Sequence, residues 1–470
     1  MKNHLIAAIG LLAGVLWAQE TKPLPLSQRQ ARVSPEWLTQ GVMYQVWLRA
    51  FTPEGTLRAA AKRLEQVAAS GATIVYLSPV CLQDDDVRRE FWSERQKACG
   101  LNNPRNPYRI KDYNAVDPEY GTEADLHAFI AEAHRLKLRV LMDLVYFHCG
   151  PTSALMEHPE FFKKDKDGKV STGQWHFPVL NFDAPALREH LWANMAHWIK
   201  DFNVDGFRCD VSDAVPLDFW EQARERLTLL RPDLVILAEG ERKADQLAAF
   251  DVNYSFVWYY ETRDVFAQKK PASALRALWE KTRNDRPQGA RFIRFTENHD
   301  FANDTTTNRV EKLWSHNGAA AMLAVNFTLD GVPFLYNGQE VADAAPQSIY
   351  ARWPVAWAAG ETPAGKARFA FCQKLCAMRR DELALTQGSV TWLDNDAPDA
   401  VLSYVRTLGS EQILTVVNLA GRPVNVQVAV PKAHEATFRV LLASGAKEDS
   451  VKSEKRTFVL DGYGCFVGKR

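Results

Sequence analysis

The sequence has no excess of charge of either sign and only one long apolar run. Its 57 basic and 57 acidic residues cancel over 470 positions, which argues against a polyanion-binding surface of the nucleic-acid type. The apolar run covers residues 5–18 and is too short to span a bilayer, which requires about 20 apolar residues. With Lys2 before it and a small residue at its end, the run predicts a signal peptide at residues 1–18. We therefore expect a protein exported to the periplasm or the exterior, without membrane anchoring once mature.

Cysteine is also scarce, and the seven cysteines show no spacing typical of a zinc site. An odd number leaves at least one thiol unpaired in an exported chain. Cys81 and Cys99 bracket a polar loop that a disulfide between them could close. Cys372 and Cys376 lie four residues apart on a helical stretch, where two buried thiols are an equal alternative. Disulfide pairing, metal ligands and oligomeric state are left open by the sequence.

From about residue 42 onward, short apolar runs alternate with amphipathic segments, a pattern typical of a parallel sheet covered by helices. The candidate strands are residues 42–47, 73–77, 139–143, 206–210, 234–238, 251–254, 292–295 and 333–336. Helical patterns lie between them, for example at residues 56–70, 123–136, 185–201 and 272–284. Eight such repeats predict an α/β fold, a closed (β/α)8 TIM barrel at residues 35–380, in preference to an open doubly wound sheet.

Two segments depart from this repeat. Residues 149–183 follow the third candidate strand and are rich in Lys, Asp, Gly, His and Pro. An ordered connection of that length is more often functional than idle, so we predict a short inserted domain there. Beyond about residue 380 the pattern changes to alternating strands at 400–407, 412–419 and 424–430, which predicts a C-terminal antiparallel β-domain at residues 381–470.

Four acidic residues fall at the ends of candidate strands: Asp143, Asp210, Glu239 and Asp300. The functional groups of a (β/α)8 barrel lie at the C-terminal ends of its strands, so these side chains are expected to meet at one rim. A single carboxylate in such a place is commonly a helix cap. Capping does not explain four of them together with His148, Arg208 and His299, and the set predicts a catalytic site.

The stretch GFRCD at residues 206–210 is the most specific of these signals. Strand alternation places Arg208 and Asp210 on one face and Cys209 on the other. Arg208 is then able to hold the Asp210 carboxylate by charge-assisted hydrogen bonds. Glu239 ends an apolar strand close to other carboxylates, which predicts a raised pKa and the ability to donate a proton.

Four stretches together resemble the ordered motifs of the α-amylase family, glycoside hydrolase family 13: LMDLVYFH (141–148), GFRCD (206–210), ILAEG (236–240) and FTENHD (295–300). GATIVYLSPV (71–80), NPYRIKDYNAVDPEYGT (106–122) and NGQE (337–340) resemble framework segments of the same family. VLNFDAPALREHL (179–191) resembles a motif of members that hydrolyse maltooligosaccharides and cyclodextrins. The resemblance covers about residues 40–350, in the family's order.

The resemblance implies a role for each matching residue. Asp210 would be the nucleophile, Glu239 the acid/base, and Asp300 the carboxylate that grips two sugar hydroxyls. The implied substrate-binding residues are Tyr108 stacking beneath the sugar, Asp143 supporting Arg208, Arg208 orienting the nucleophile, and His148 and His299 bonding sugar hydroxyls. The insert at residues 149–183 would wall the cleft.

The resemblance thus implies a retaining α-glycosidase that hydrolyses α-1,4-glucosidic bonds of maltooligosaccharides or related α-glucans by double displacement. Retention requires carboxyl groups about 5–5.5 Å apart, and a wider gap gives inversion. A transglycosylase or isomerase that shares the same intermediate is the alternative within enzymes. A non-catalytic α-glucan-binding protein is the alternative outside them.

Departures from the family pattern affect the metal and the substrate length. Phe147 stands where an Asn that binds structural calcium is common, and Pro107 replaces a Gly. Asp213 and Ala214 stand where many starch α-amylases carry Lys and His. We therefore expect no required cofactor, a doubtful structural calcium and a preference for short or cyclic α-glucans. Oxygens of the insert, such as those of Asp165 and Asp167, are the alternative source of a calcium site.

Overall fold

The computed structural model describes residues 24–302, 304, 308–430, 437–452 and 455–470, so the predicted signal peptide lies outside the described residues. The strands are β1 Met43–Val46, β2 Ile74–Leu77, β3 Cys81–Gln83, β4 Ile110–Val116, β5 Arg139–Leu144, β6 Gly206–Cys209, β7 Val235–Ala238, β8 Val252–Asn253, β9 Ile293–Arg294, β10 Val332–Tyr336, β11 Ser389–Trp392, β12 Val401–Leu408, β13 Glu411–Asn418, β14 Val424–Ala429, β15 Arg439–Lys452 and β16 Lys455–Lys469. The α-helices are α1 Glu36–Thr39, α2 Leu48–Phe51, α3 Leu57–Ala61, α4 Leu64–Ala69, α5 Glu94–Ala98, α6 Glu123–Arg135, α7 Pro185–Lys200, α8 Leu217–Thr228, α9 Phe256–Phe266, α10 Ser273–Asn284, α11 Val310–Leu313, α12 Ser315–Thr328, α13 Pro363–Asp381 and α14 Ala384–Gln387. No helix within these described ranges has the length and apolar character needed to cross a membrane.

Eight parallel strands form a barrel in the order β8-β7-β6-β5-β2-β1-β10-β9. A parallel bridge between Asn253 of β8 and Phe292, the residue before β9, joins the two edges of this sheet. The strands are buried along nearly their whole length, because a barrel strand faces packed side chains on the inside and helices on the outside. The (β/α)8 fold is confirmed, and each of the eight predicted strands is present.

Local sequence signals position the barrel elements. Helix α6 begins at a capping box in which Thr122 Oγ1 accepts from the Asp125 N–H and the Asp125 carboxylate accepts from the Thr122 N–H. Gly206 opens β6 at a point where a Cβ atom would lie 2.0 Å from the Val235 carbonyl oxygen. Only glycine permits this close approach of β6 to β7, and the approach sets the position of Arg208 two residues later.

Two long connections leave the barrel at the C-terminal ends of its strands. The insert at residues 149–183 follows β5 and contains 3-10 turns at Ala154–Glu157 and Pro159–Phe161, with an antiparallel bridge between Phe162 and Leu180. The other connection runs from β2 to α6 and contains the β3–β4 hairpin and helix α5. Only the insert was predicted from the sequence, although both connections reach the cavity at the C-terminal ends of the strands.

A six-stranded antiparallel sheet follows α14, in the order β11-β12-β13-β16-β14, with β15 paired to β16. It packs against the barrel helix α12, where Thr328 Oγ1 and Tyr404 OH are 2.7 Å apart and Arg406 Nη1 donates to the Thr328 carbonyl oxygen at 3.1 Å. The predicted C-terminal antiparallel domain is confirmed, and β12, β13 and β14 occupy the three predicted strand positions within a residue or two.

All seven cysteines carry free thiols. Cys81 packs in the core between strands and helices, where its thiol faces the Tyr113 carbonyl oxygen. Cys99 ends α5 and its thiol faces the Gln96 carbonyl oxygen, outside that core. The disulfide that the sequence permitted between these two residues is therefore not formed. The alternative of two buried thiols on α13, Cys372 and Cys376, is the arrangement observed.

Candidate active site

A cavity of about 740 Å³ opens at the C-terminal ends of the barrel strands. Its lining comes from the strand ends, from the insert and from the β2–α6 connection. Six of the predicted site residues line it: Tyr108, His148, Asp210, Glu239, His299 and Asp300. The other two, Asp143 and Arg208, are buried beneath it and contact this set. The structure therefore brings all eight predicted residues together.

Arg208 is the centre of the charge network. Its Nη1 atom donates to Asp143 Oδ1 at 2.7 Å and to Asp210 Oδ1 at 2.8 Å. Its Nη2 atom lies 2.5 Å from Glu239 Oε1, without the alignment of a hydrogen bond. A fully buried guanidinium is stable only when it is paired, and here one guanidinium fixes the positions of two carboxylates that face the cavity.

Asp143 supports this arrangement from below. Tyr76 OH donates to Asp143 Oδ2 at 2.7 Å, and Tyr108 OH approaches the same oxygen at 3.3 Å. Burial raises the pKa of Asp143 to about 7, with the charge of Arg208 opposing this rise and that of Asp210 adding to it. Asp143 thus acts on the site through Arg208, in the position that the family resemblance implied.

Glu239 has the environment of a proton donor. Burial raises its pKa well above the usual value, the charge of Arg208 opposes this rise, and the charges of Asp210 and Asp300 add to it. The Val211 N–H donates to Glu239 Oε2 at 2.8 Å. Val211 is left-handed, with φ 43°, which is a strained conformation for a β-branched residue. This strained turn directly after Asp210 aims the N–H at Glu239, and the pKa shift has the direction expected from the sequence.

His299 lies on an aromatic floor that the sequence analysis missed. Trp47 stacks against it, with ring centroids 4.7 Å apart and an interplanar angle of 5°. Gln45 Nε2 and His299 Nδ1 are 2.8 Å apart, and Tyr108 OH lies 2.6 Å from His299 Nε2. Burial lowers the pKa of His299 to about 3, so its ring is uncharged at neutral pH. A polar Gln on the inward face of a buried strand was the available signal for this support.

His148 faces the cavity between two aromatic side chains of the insert. Its ring centroid lies 5.5 Å from that of Trp175 and 4.9 Å from that of Phe177. Burial lowers the pKa of His148, and neither ring nitrogen makes a hydrogen bond of good geometry to the residues that the structure describes. An uncharged imidazole in this position suits a ligand hydroxyl. The insert walls the cavity, as the family resemblance implied.

Arg95 is a further cavity residue that the sequence did not indicate. It projects from α5 and pairs with Asp300 at 2.8 Å. Helix α5 belongs to the β2–α6 connection, whereas Asp300 follows β9, so only the tertiary fold brings the two together.

Asp213 lines the cavity and also makes contacts that hold the backbone. Its carboxylate accepts from the Glu241 N–H at 2.8 Å and from the Arg242 N–H at 3.3 Å. A Cβ atom on Gly240 would lie 2.3 Å from Asp213 Oδ1, so the glycine after Glu239 makes room for this carboxylate. Asp213 therefore holds the loop that carries Glu239.

A structural calcium ion takes 6–8 oxygen ligands. Among the described residues no group of three or more His, Cys, Asp or Glu side chains is arranged to hold a metal. The Phe147 side chain offers no oxygen, and the Phe147 carbonyl oxygen accepts from the Leu180 N–H. Each carboxylate of the acidic run 84–86 has a cationic partner: Arg109 for Asp84, Lys111 for Asp85 and Arg88 for Asp86. Asp165 Oδ1 accepts instead from the N–H groups of Asp167 and Lys169 and closes a tight turn.

A (β/α)8 barrel with two carboxylates held by one arginine at its strand ends has an arrangement suited to a glycoside hydrolase, which uses a pair of carboxyl groups. The family profile "Alpha amylase, catalytic domain" matches residues 36–177 and 169–364, and the chain therefore belongs to the α-amylase family. The resemblance drawn from its four motifs is confirmed.

Individual relatives are moderately similar. Alpha-amylase MalA of Haloarcula japonica is 26% identical over 94% of this chain and 64% of its own length. Neopullulanase 2 of Thermoactinomyces vulgaris is 24% identical over 86% of this chain and 74% of its own. The crystal structure of the noncanonic maltogenic α-amylase AmyB from Thermotoga neapolitana superposes with a TM-score of 0.79 at 27% identity, covering 92% of this chain and 99% of that one. The chain thus spans less than two thirds of the haloarchaeal relative and nearly all of the solved structure.

Proposed function

We propose that the protein is a retaining α-glycosidase that hydrolyses α-1,4-glucosidic bonds of maltooligosaccharides or related α-glucans by double displacement. The observation that carries the proposal is the Arg208 guanidinium, which binds Asp210 and lies 2.5 Å from Glu239. The shared guanidinium keeps the two carboxyls close to each other, and retention requires a separation of about 5–5.5 Å. The relatives named α-amylase and neopullulanase support the substrate class.

The chemistry follows from the protonation states of the pair. Asp210 attacks the anomeric carbon while Glu239 gives its proton to the glycosidic oxygen, so the C–O bond breaks and the shortened glucan leaves as an alcohol. The glycosyl group is then bonded to Asp210. Glu239, now ionised, takes a proton from water as that water attacks the anomeric carbon, and the Asp210 carboxylate is released. Glu239 ends the cycle protonated, and its raised pKa favours that form.

The other predicted residues bind the sugar in this proposal. Asp300 and His299 lie side by side, with His299 Nε2 3.3 Å from Asp300 Oδ2, and together offer acceptors and a donor to neighbouring hydroxyls. His148 offers an uncharged ring on the side of the insert, and Tyr108 supplies an aromatic face. Contacts that strengthen as the oxocarbenium ion forms lower the barrier, whereas contacts equal in both states only improve binding.

Product analysis tests the proposal. The protein is incubated with maltooligosaccharides, pullulan and cyclodextrins, the products are separated by chromatography, and the anomer first released is read by proton NMR. Shorter maltooligosaccharides released as the α-anomer are expected. Products longer than the substrate would identify a transglycosylase, and binding without turnover would identify a non-catalytic glucan-binding protein.

We further propose that the cleft prefers short or cyclic α-glucans to long starch. Support comes from the leaving-group side, where Asp213 holds the backbone of the loop after Glu239 and Ala214 has no polar side-chain atom. Neither residue supplies the cation or imidazole that many starch α-amylases place there. The two substrates are compared at the same mass concentration of glucan. Turnover of soluble starch that equals or exceeds that of maltotetraose would contradict the preference.

We also propose that the fold needs no structural calcium. Support comes from a buried ion pair that joins the insert to the β2–α6 connection. Arg109 Nη2 donates to Asp84 Oδ1 at 2.9 Å, with both side chains fully buried. Asp84 Oδ2 accepts from the N–H of Thr152 at 2.6 Å and from its hydroxyl at 2.8 Å. A permanent guanidinium charge thus occupies the acidic site that would otherwise attract a cation.

Export is the last part of the proposal. It rests on the apolar run at residues 5–18, preceded by Lys2 and followed by a linker-like polar stretch. Cleavage after Ala18 would give a mature protein beginning near Gln19 or Glu20.

A further inference from the structure

Arg95 binds the segment after β9 with all three nitrogens of its guanidinium. Nη1 donates to Asp300 Oδ1 at 2.8 Å, Nε donates to Asp304 Oδ2 at 3.0 Å, and Nη2 donates to the His299 carbonyl oxygen at 3.2 Å. A guanidinium presents its donors in a rigid planar fork. Three bonds from one plane therefore define the direction of the Asp300 carboxylate more strictly than a single ammonium contact would.

The helix that carries Arg95 is itself held in place. Ser93 Oγ caps α5 by accepting from the Gln96 N–H at 3.2 Å, and the same oxygen lies 3.2 Å from Tyr350 OH. Gln96 Nε2 donates to the Asn103 carbonyl oxygen at 2.9 Å. These contacts fix the backbone that carries Arg95. The Arg95 side chain is 31% exposed, and its guanidinium reaches the cavity.

Several elements contribute charge around Asp300. The charged and titratable groups that face it are Arg95 on α5, Arg208 on β6, Glu239 after β7, His299 and Asp304 in its own segment, and the hydroxyls of Tyr108, Tyr254 and Tyr336. His299 is uncharged at neutral pH because burial lowers its pKa to about 3. Arg208 already pairs with Asp143 and Asp210. Arg95 is thus a permanently charged cation in direct contact with Asp300.

This contact has an electrostatic consequence. Burial alone raises the pKa of Asp300, but His299, Arg95 and Arg208 together hold it below its usual value. The His299 ring contributes its positive charge only at acidic pH, because its own pKa is about 3, so the arginines are the cations that act at neutral pH. Burial raises the pKa of nearby Glu239 in contrast. The pKa values of the two carboxyls therefore shift in opposite directions, which favours the protonated form of Glu239 and the charged form of Asp300. Such separation is what a site with two different carboxyl roles requires.

We propose that Arg95 is a positioning residue for Asp300: its guanidinium holds this carboxylate in the charged form and aims it at the hydroxyls of the bound sugar. The inference rests on the proposed function, because it gives Asp300 a sugar to grip. It extends that function to a residue of the β2–α6 connection, which makes this connection as much a part of the active site as the insert.

The test compares four variants of the full chain. Arg95→Gln removes the charge, and Arg95→Lys keeps the charge without the fork. Asp304→Asn removes the neighbouring carboxylate and leaves the contact between Arg95 and Asp300. Arg88→Gln is the matched control, since Arg88 lies in the same connection, is 53% exposed and pairs with Asp86. For each variant and for the unmodified enzyme, kcat and KM for maltotriose are measured from pH 3 to pH 9, together with a thermal melt.

Arg95→Gln is expected to lower kcat/KM by about ten- to a hundredfold, the loss typical of a hydrogen bond to a charged group. The acidic limb of its pH profile should move to higher pH, because Asp300 then binds its proton more tightly. Arg95→Lys should restore the position of that limb but only part of kcat. Arg88→Gln and Asp304→Asn should leave the limb in place or move it to lower pH. The inference would be overturned if Arg95→Gln lost activity without moving the acidic limb and Arg95→Lys lost as much activity as Arg95→Gln. Arg95 would then be only a structural anchor.

A binding measurement separates this inference from the proposed function. Calorimetry with maltotetraose is performed on Asp210→Asn and on Asp210→Asn combined with Arg95→Gln, between pH 4 and pH 7. Weaker binding in the double variant, greatest at low pH, supports the role of Arg95 even if the natural chain proves unable to hydrolyse glucans. Equal binding at every pH in the two variants would overturn it even if hydrolysis is demonstrated.

Discussion

Replacing Glu239 by Gln removes the proton that the glycosidic oxygen receives, while the fold is retained. Burial raises the pKa of Glu239 and so favours its neutral acid form, and a neutral amide of the same shape still accepts the Val211 N–H. The free energy of unfolding is therefore expected to change by about 1 kcal/mol or less. Catalysis should change far more, because general acid catalysis contributes about 10²- to 10⁴-fold, or roughly 3–5 kcal/mol of barrier.

The assay uses two leaving groups. Turnover of maltotriose should fall by the full factor, whereas formation of the glycosyl-enzyme from an α-maltosyl fluoride, which needs no proton, should fall by about tenfold or less. Azide, a nucleophile that needs no base, should then release the glycosyl group from Asp210 as a glycosyl azide. The alkaline limb of the native pH profile, which reports Glu239 losing its proton as pH rises, should be absent from the variant.

Glu189→Gln is the control, since Glu189 is exposed on α7 and pairs only with Arg226 among the ion pairs of the described residues. Its kinetics should match those of the native enzyme. Equal losses on maltotriose and on the fluoride, with the alkaline limb unmoved, would refute the assignment of Glu239 and direct attention to Asp300 or Asp143.

Asp210→Asn should leave less than about 1% of the native activity, because an amide does not attack the anomeric carbon, and should change the melting temperature by no more than a few degrees. A higher remaining activity would contradict the assignment of Asp210 as the nucleophile. Treatment with a chelator should leave both the melting temperature and maltotetraose hydrolysis unchanged, and a fall in both that calcium reverses would contradict the calcium-free proposal. N-terminal sequencing of the active protein from its own host should begin near Gln19 or Glu20, and an intact Met1 would contradict export by signal-peptide cleavage.

The barrel and its principal residues were predictable because they follow from short-range rules. Period-two alternation within β6 placed Arg208 toward the cavity and Cys209 toward the helices, where the structure has them. The rule that barrel sites lie at the C-terminal ends of strands then brought Asp210, Glu239 and Asp300 to one rim before any distance was known. Each of these inferences uses only residues within one strand and the order of the strands.

Contacts between distant segments were decided by the tertiary structure alone. Arg95 contacts Asp300, which lies 205 residues away in the sequence, and the local sequence around either residue does not predict this contact. The sequence shows that Asp213 lacks the positive charge found at this position in many starch α-amylases. The hydrogen bonds of Asp213 to the loop after Glu239, in contrast, depend on how the ends of two strands approach each other. The thiols of Cys81 and Cys99, close in sequence, face different cores for the same reason. Sequence periodicity sets which face a side chain occupies, whereas its partner depends on the packing of elements that lie far apart along the chain.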